Sequence, residues 1–348
     1  MRRAAIAPVI AAVLLLVVAA PALACGGLIG PNGAVNLLRT STLAAYHDGV
    51  EHYVTAFAFA GGGGEFGSII PLPGIPTKVE RGGDWTLQRL VLETEPQRLF
   101  FAEAAGASRD AEVLLTVRID ALDITILRGG GAAVGAWATE HGFRLPPDAP
   151  EVLDFYADRS PIFMTAVFDA DAATERGQSI GDGTPIHLTI PTDNPWVPLR
   201  ILGLGKAASE PVEADVYLLT DQRPAMLPAP SAFFGVNGLE LAHSDAASVQ
   251  LLDDLRSDDG MGWIPQQAWL TKVRVNTVAG DLTFDLAIDA SGRRMPSLVD
   301  AGFAPVGIVG NLVPTSTAWV LLMGLPLLAL VIVALRRRGG YGSPPLGA

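Results

Sequence analysis

The chain has 348 residues, with 36 acidic against 24 basic side chains and a formal charge of −12 at pH 7. An acidic protein is poorly suited to bind nucleic acid or anionic lipid, because like charges repel. The single cysteine, Cys25, excludes an intramolecular disulfide.

The first 24 residues predict a secretory signal peptide. A basic start is followed by an apolar run from Ala4 to Ala20, and Ala22-Leu23-Ala24 matches an A-x-A cleavage site. The alternative is an uncleaved N-terminal anchor. After cleavage, Cys25 would be the first residue, where it is a candidate for lipidation, an N-terminal nucleophile or a leftover small residue.

The C-terminal region predicts a membrane anchor. Residues Ala318–Leu335 carry no charge, and a bilayer core is crossed by about 17–25 apolar residues in a helix. Arg336, Arg337 and Arg338 follow at once, and basic residues beside a span stay in the cytoplasm. The alternative is removal of this tail as a sorting signal. We therefore expect a single-pass cell-membrane protein with an extracytoplasmic domain (25–294), a stalk (295–317), a span (318–335) and a cytoplasmic tail (336–348).

The first elements of the domain read as strands and one helix. Asp48-Gly49 lies between two β-rich runs and predicts a tight hairpin, with His47 at its start. Ser68–Pro76 predicts an edge strand that continues as an extended proline segment. Asp84 is expected to cap a helix that ends near Glu95.

The remaining pattern is β-rich with inserted helices, so the sequence predicts an α+β fold with antiparallel sheets. Strands are expected at Glu112–Ile119, Leu122–Leu127, Ile162–Phe168, Ile186–Ile190, Val197–Leu204 and Val212–Thr220. Helices are expected at Ala132–His141, Ala149–Asp158 and from Ser244 or Asp245 to Arg256. Trp263–Asn276 and Leu282–Ile288 are expected to form a closing antiparallel pair.

The densest polar cluster contains four carboxylates in seven positions, at Asp253, Asp254, Asp258 and Asp259. Oxygen ligands of this type bind Ca²⁺, so the cluster is the candidate cation site and calcium the one candidate cofactor. The order of residues differs from that of a helix-loop-helix calcium loop. The alternative interpretation is a solvated helix end.

Other chemistry-bearing residues form no recognisable catalytic motif. His243-Ser244-Asp245 has the residue types of a hydrolytic triad, but triad members come from separate elements. The five histidines are too dispersed in sequence for a metal spacing, and His187 is expected to be a half-buried strand residue. Tryptophans at 196, 263 and 269 are interpreted either as core residues or as a platform for sugars or peptides.

Several stretches resemble the bacterial "domain of unknown function 2330" family. They are Ala24–Gly27, Ile69–Pro73, Leu153–Tyr156 with Arg159–Phe163, Asp182–Ile186, Pro195–Arg200 and Asp253–Pro265. The resemblance implies a secreted, membrane-anchored envelope protein with no assigned activity, so it supplies no catalytic residues.

Two functional hypotheses follow from the sequence. The first is a non-enzymatic envelope protein that binds a protein, glycan or cation partner outside the membrane. The second is an extracytoplasmic hydrolase that uses acidic residues such as Asp253, Asp254 or Asp258. Converging acids in a cleft would favour the enzyme, and an aromatic surface would favour binding.

Overall fold

The computed structural model describes residues 27–30, 33–35, 40–58, 65–95, 115–175, 183–232 and 237–303. The predicted signal peptide, Cys25, the span at 318–335 and the three tail arginines lie outside these ranges. Within them, no helix combines the length and the apolar character that crossing a bilayer requires.

The first sheet has six strands in the order β2-β1-β5-β9-β8-β7, and every neighbouring pair is antiparallel. Its strands are β1 (Gly27–Gly30), β2 (Gly33–Val35), β5 (Phe66–Leu72), β7 (Leu115–Ile119), β8 (Leu122–Arg128) and β9 (Ile162–Phe168). Two helices lie between β8 and β9 in the sequence, α2 (Gly130–Glu140) and α3 (Ala149–Ala157).

The second sheet has seven strands in the order β14-β15-β12-β3-β4-β10-β6. Its strands are β3 (Thr40–His47), β4 (Val50–Ala58), β6 (Lys78–Arg81), β10 (Gly183–Pro191), β12 (Pro211–Thr220), β14 (Leu239–Ala246) and β15 (Trp269–Val278). The β3–β12 pair is parallel, and the other pairs are antiparallel. A small third sheet joins β11 (Trp196–Val197), β16 (Leu286–Asp289) and β13 (Ala225–Leu227).

Side-chain alternation along the strands builds three apolar clusters. The largest lies between the two large sheets, where Ile70 and Met164 of one meet Leu188 and Val216 of the other. Because successive side chains point to opposite faces, each sheet presents a second apolar face outward. The protein buries these outer faces with helices, which gives four layers in the order helix, sheet, sheet, helix.

The helices α2 and α3 cover the six-stranded sheet, with Trp137 and Tyr156 in one cluster with Ile69 and Phe163. The helices α1 (Thr86–Thr94) and α5 (Val249–Ser257) cover the seven-stranded sheet. There Leu90 and Leu255 belong to one cluster with Val54, Tyr217 and Leu270. A short helix, α4 (Ala170–Glu175), follows β9.

The predicted α+β class with largely antiparallel sheets is confirmed, as is the β3–β4 hairpin. Asp48 and Gly49 have φ angles of 48° and 79°, the left-handed conformations that a two-residue turn of this kind requires. The edge strand predicted at Ser68–Pro76 is wrong, because the strand there, β5, ends at Leu72 and lies between β1 and β9. Pro71 is tolerated there since β1 pairs with residues 67–69 and ends before it.

Three further predictions are wrong in detail. The strand expected at Val197–Leu204 ends at Val197 and becomes a 3₁₀ turn at Arg200–Gly203. The helix expected from Ser244 begins at Val249, because Ser244 and its neighbours still pair with β15. Trp263 precedes β15 in a loop, and β16 pairs with β11 and β13 instead of β15.

Candidate functional site

Two histidines from neighbouring strands meet on the outer face of the seven-stranded sheet. His52 lies on β4 and His187 on β10, where Thr189 pairs with His52 and Val54 with His187. The offset brings His52 Nδ1 to 2.8 Å from His187 Nε2, within hydrogen-bond distance. One imidazole donates and the other accepts, so the two rings act as a single hydrogen-bonded pair.

Trp263 covers this histidine pair. Its ring stacks on His52 with centroids 3.9 Å apart and an interplanar angle of 6°, and on His187 at 5.0 Å and 23°. The loop that carries Trp263 is fixed by the buried side chains of Met261 and Ile264 and by the bond from Ile264 N to Met261 O. We call His52, His187 and Trp263 the imidazole–indole cluster.

Burial keeps both imidazoles of the cluster neutral. Desolvation is the main cause that lowers the pKa of His52 to about 4, and the nearby charge of His47 acts in the same direction. Desolvation likewise lowers the pKa of His187 to about 3, together with His52 and Lys78. The charged form loses hydration on burial, so neutral rings are preferred at physiological pH.

The cluster contains two buried nitrogen atoms that make no hydrogen bond with the described residues, His187 Nδ1 and Trp263 Nε1. Buried polar groups normally have a partner, so each such atom requires an explanation. His52 and Trp263 remain partly exposed, whereas His187 is 2% exposed. The cluster therefore joins a solvent-accessible aromatic surface to polar atoms beneath it.

Charged residues border the cluster on the strand edge. Lys78 and Glu80 of the edge strand β6 pair in register with Thr189 and His187, and both side chains are exposed. On the opposite side, His47 at the hairpin contacts Asp221, with Nδ1 and Oδ1 2.5 Å apart. The neutral centre is thus flanked by groups that can donate or accept hydrogen bonds.

The geometry of the pair does not favour a metal centre. His52 and His187 use facing nitrogens for each other, whereas metal ligands direct their lone pairs at a common ion. Within the described ranges, no group of three or more His, Cys, Asp and Glu side chains is arranged to hold a metal ion.

The structure places Asp258, a predicted cation ligand, under the N-terminus of α1. Its carboxylate is 5% exposed and accepts hydrogen bonds from Asp84 N at 3.1 Å, Trp85 N at 3.0 Å and Thr86 Oγ1 at 2.7 Å. The backbone amide of Asp259 donates a fourth bond at 3.0 Å. The cap expected from Asp84 is therefore supplied by a residue far away in sequence.

The other acidic residues of that cluster point to separate partners. Asp254 pairs with Arg89 at 2.9 Å, and Asp253 pairs with Arg256. Asp259 is exposed. These contacts divide the cluster among helix caps and ion pairs, so calcium binding there stays a prediction from the sequence.

Ser244 and Trp196, two further candidates from the sequence, make contacts inside the fold. Trp269 Nε1 donates a hydrogen bond to Ser244 Oγ at 2.9 Å. The hydroxyl of the His243-Ser244-Asp245 stretch is therefore an acceptor for an indole. Trp196 is 3% exposed and belongs to the apolar cluster under α2 and α3. Of the three tryptophans considered from the sequence, Trp263 is thus the one stacked in the imidazole–indole cluster.

A buried polar network on the other side of the protein is centred on Asp285. Its Oδ1 accepts hydrogen bonds from Tyr156 Oη at 2.9 Å, Leu199 N at 2.7 Å and Arg200 N at 3.0 Å, and its Oδ2 pairs with Arg159. We call these groups the Asp285 network. The bonds to Leu199 and Arg200 explain why the chain turns there instead of continuing as a strand.

Aromatic rings complete the Asp285 network. The Arg159 guanidinium lies 4.6 Å from the ring centroids of both Phe155 and Trp196. Burial raises the pKa of Tyr156 well above its ordinary value, and the neighbouring Asp285 carboxylate acts in the same direction. The network thus joins Leu153–Tyr156, Arg159 and Pro195–Arg200, which are among the stretches that carry the family resemblance.

Glu51 is a buried acid without such a network. It points from β4 into the space between the sheets, is 0% exposed, and neither carboxyl oxygen makes a hydrogen bond of normal geometry with the described residues. Burial raises the pKa of Glu51 to about 8, although the backbone amide of Trp196 lies near enough to lower it slightly. The side chain is therefore mainly protonated at neutral pH.

The fold and the site define a strand-rich α+β domain of four layers, with a stacked aromatic and imidazole surface as its candidate binding site. The chain belongs to the DUF2330 family of uncharacterized proteins conserved in bacteria, whose family model matches residues 19–288.

Comparison with curated proteins finds no match. Among solved structures, the crystal structure of baculovirus P35 is similar at a TM-score of 0.37 and 10% identity, covering 72% of this chain and 96% of that chain. The caspase-8/P35 complex is similar at a TM-score of 0.36 and 8% identity, covering 72% of this chain and 95% of that one.

Proposed function

We propose that the protein is a non-enzymatic binding module, anchored in the cell membrane with its domain outside, and that its ligand is envelope glycan, recognised through its uncharged sugar rings. The observation that carries the proposal is the partly exposed indole of Trp263 stacked over two neutral imidazoles. This arrangement offers an aromatic face and polar atoms at one place, the combination typical of ligand sites.

The chemistry of the imidazole–indole cluster fits a sugar better than a charged ligand. The apolar face of a sugar ring packs on an indole, whose large rigid surface loses little conformational entropy on binding. The His52–His187 bond leaves Nε2 of the partly exposed His52, and sugar hydroxyls can donate to or accept from this nitrogen in either tautomer. A charged ligand would gain little from rings that burial holds neutral.

Rigidity of the cluster supports a binding role. His52 and His187 are held by strand pairing in the interior of the sheet, and Trp263 by a loop with two buried anchors. A site that is ordered before its ligand arrives loses less entropy on binding. The exposed Lys78 and Glu80 at the rim can add hydrogen bonds to hydroxyl groups.

The location of the ligand follows from the predicted termini. A cleaved signal peptide at 1–24 and a span at 318–335 with arginines at 336–338 would place the domain outside the membrane. The partner available there includes envelope glycan. We do not propose the hydrolase, because the contacts of Asp253, Asp254 and Asp258 direct these carboxylates to different partners.

The test is retention of the purified full chain, in mild detergent, on purified peptidoglycan sacculi. The Trp263→Ala variant should lose on the order of tenfold or more in affinity, the effect of removing a central aromatic contact. The matched control is Trp85→Ala, since Trp85 is a partly exposed tryptophan outside the cluster. Thermal melts check that both variants fold.

Two results would contradict the proposal. Equal retention of the wild type and Trp263→Ala would remove the cluster from the binding surface. Absence of wild-type retention on sacculi would remove peptidoglycan as the ligand.

A further inference from the structure

Exposed apolar side chains concentrate in a short segment near the end of the described domain. Met295, Leu298 and Val299 are 61%, 50% and 48% exposed. They make up three of the seven large hydrophobic residues exposed in the described ranges. Single exposed apolar residues are ordinary, but a local concentration marks an interaction surface.

The segment is rigidly built, so the exposure is a property of the fold. Asp300 N donates to Ser297 Oγ at 3.1 Å, and Phe303 N donates to Leu298 O at 2.8 Å. Beneath this turn, Ala301 is fully buried and its carbonyl accepts from Asp285 N at 3.0 Å. The turn therefore holds Leu298 and Val299 outward from a fixed base.

Two arginines accompany the apolar side chains. Arg293 and Arg294 are exposed, and their backbone amides donate to the Asp289 carboxylate at 3.0 and 2.8 Å. Guanidinium groups bind phosphate oxygens well, because their donors match the geometry of the anion. Exposed apolar residues beside arginines form a combination that suits the interface between lipid headgroups and acyl chains.

We infer that Met295, Leu298 and Val299, with Arg293 and Arg294, dock on the surface of the bilayer that anchors the chain. The inference rests on the anchor proposed above. The predicted span begins at Ala318, fifteen positions after Phe303, so the connecting chain reaches at most about 50 Å. The described domain ends at Phe303, four positions after Val299, so the patch lies within that reach of the headgroups.

The docking orients the domain instead of supplying the membrane affinity. The protein is acidic overall, so attraction to anionic lipid is not the driving force. Insertion of the three apolar side chains and arginine contacts with lipid phosphate would favour the orientation that places the patch on the bilayer.

The experiment places an environment-sensitive fluorophore on the patch. The full chain carries Cys25→Ser with Leu298→Cys, is labelled with a nitrobenzoxadiazole dye, and is reconstituted in phosphatidylcholine vesicles. The matched control carries the label at Val249→Cys, an apolar residue of α5 that is 69% exposed. A second vesicle set contains lipid with a nitroxide on the headgroup.

We expect a blue-shifted emission at position 298 that the nitroxide lipid quenches, and neither effect at position 249. Equal emission at both positions, in a chain that floats with the vesicles, overturns the docking alone. A blue shift at 298 without quenching overturns it as well, since the label is then covered by protein. A chain that fails to float with the vesicles overturns the anchor and the docking together.

Discussion

The Asp285 network and the imidazole–indole cluster are both polar groups set into apolar surroundings, on opposite outer layers of the protein. In the first, four donors converge on one carboxylate, and Arg159 Nε is the atom left without a hydrogen bond among the described groups. In the second, two imidazoles bond to each other, while His187 Nδ1 and Trp263 Nε1 have no such partner.

The difference in hydrogen bonding indicates a structural role for the Asp285 network and a binding role for the imidazole–indole cluster. A nearly saturated buried network fixes chain segments relative to one another, and removing its centre leaves a buried charge unpaired. A partly exposed cluster with few internal hydrogen bonds contributes less to the fold and leaves the exposed parts of His52 and Trp263 for a ligand. Substitution of Asp285 is therefore expected to destabilise the protein most, and substitution of the imidazole–indole cluster least.

The largest effect is expected for Asp285→Ala. The change leaves the buried guanidinium of Arg159 without its carboxylate and removes the acceptor for Leu199 N and Arg200 N. We expect a loss of about 3–5 kcal/mol in the free energy of unfolding, measured by urea denaturation of the full chain in detergent.

The control for this change is Asp253→Ala, which removes an exposed ion pair with Arg256. Exposed pairs contribute about 0–1 kcal/mol, so the control should unfold close to the wild type. Similar losses for the two variants would show that the Asp285 network does not hold the fold.

The second effect concerns Glu51, a buried acid that lacks a network. Its folded pKa of about 8 lies above the ordinary value, so the folded state binds the proton more tightly than the unfolded state does. The contribution of Glu51 to stability is therefore fully present below about pH 4.5 and is lost as pH rises to about 8.

The wild type should lose on the order of 3 kcal/mol through Glu51 between about pH 4.5 and 7. The Glu51→Gln variant keeps the shape and removes the ionisation, so its denaturation curves should vary less over this interval. Parallel pH profiles for the two proteins would contradict a protonated Glu51.

The third effect tests Asp258 as a helix cap. Asp258→Ala removes the acceptor at the start of α1, and loss of a cap costs about 0.5–2 kcal/mol. Melting temperature with and without millimolar calcium completes the test. A rise with calcium in the wild type that Asp258→Ala lacks would support the cation site expected from the sequence instead of a purely structural role.

The smallest effect on stability is expected in the cluster. Replacing both partners of a hydrogen bond by apolar groups of similar shape is nearly neutral, so His52→Phe with His187→Leu should change the free energy of unfolding by less than about 1.5 kcal/mol at pH 7. The same double variant should lose retention on sacculi.

The pH dependence of the double variant adds a second measurement. The pKa values of His52 and His187 are lowered on folding, so their contribution is present above about pH 6.5 and lost as pH falls towards about 4 and 3. The double variant should therefore lose less stability than the wild type between these values. A loss of several kcal/mol in the free energy of unfolding of the double variant at pH 7 would instead show that the cluster holds the fold together, as the Asp285 network does.

Local sequence signals predicted the local structure well. Asp48-Gly49 specified the hairpin, and Ile162–Phe168 and Val212–Thr220 were identified as strands because their β-rich runs are bounded by turn residues. The signals failed where distant groups determine the backbone, as at Leu199 and Arg200, whose amides bind Asp285. Asp258 capping α1 is a second case of this kind.

The candidate site was missed because its members are far apart in sequence. His52 and His187 are separated by 135 positions, and the pairing of β4 with β10 brings them together. One signal was available, since a two-residue turn at Asp48-Gly49 places Ala45 opposite His52 and puts His47 and His52 on one face. Trp263 was considered as a platform or core residue, but the sequence could not place it beside the histidines, because its loop is positioned by burial of Met261 and Ile264.

The parallel β3–β12 pair has a consequence for the order of folding. It joins two parts of the sheet, β14-β15-β12 and β3-β4-β10-β6, and pairs Thr40 with Ala214, 174 positions later. Because the chain is synthesised from its N-terminus, β3 is made long before β12. One edge of β3 therefore stays unpaired until β12 has been synthesised. Long-range pairing of this kind is slow, so a folding helper that shields the edge of β3 during synthesis would act at the most vulnerable stage.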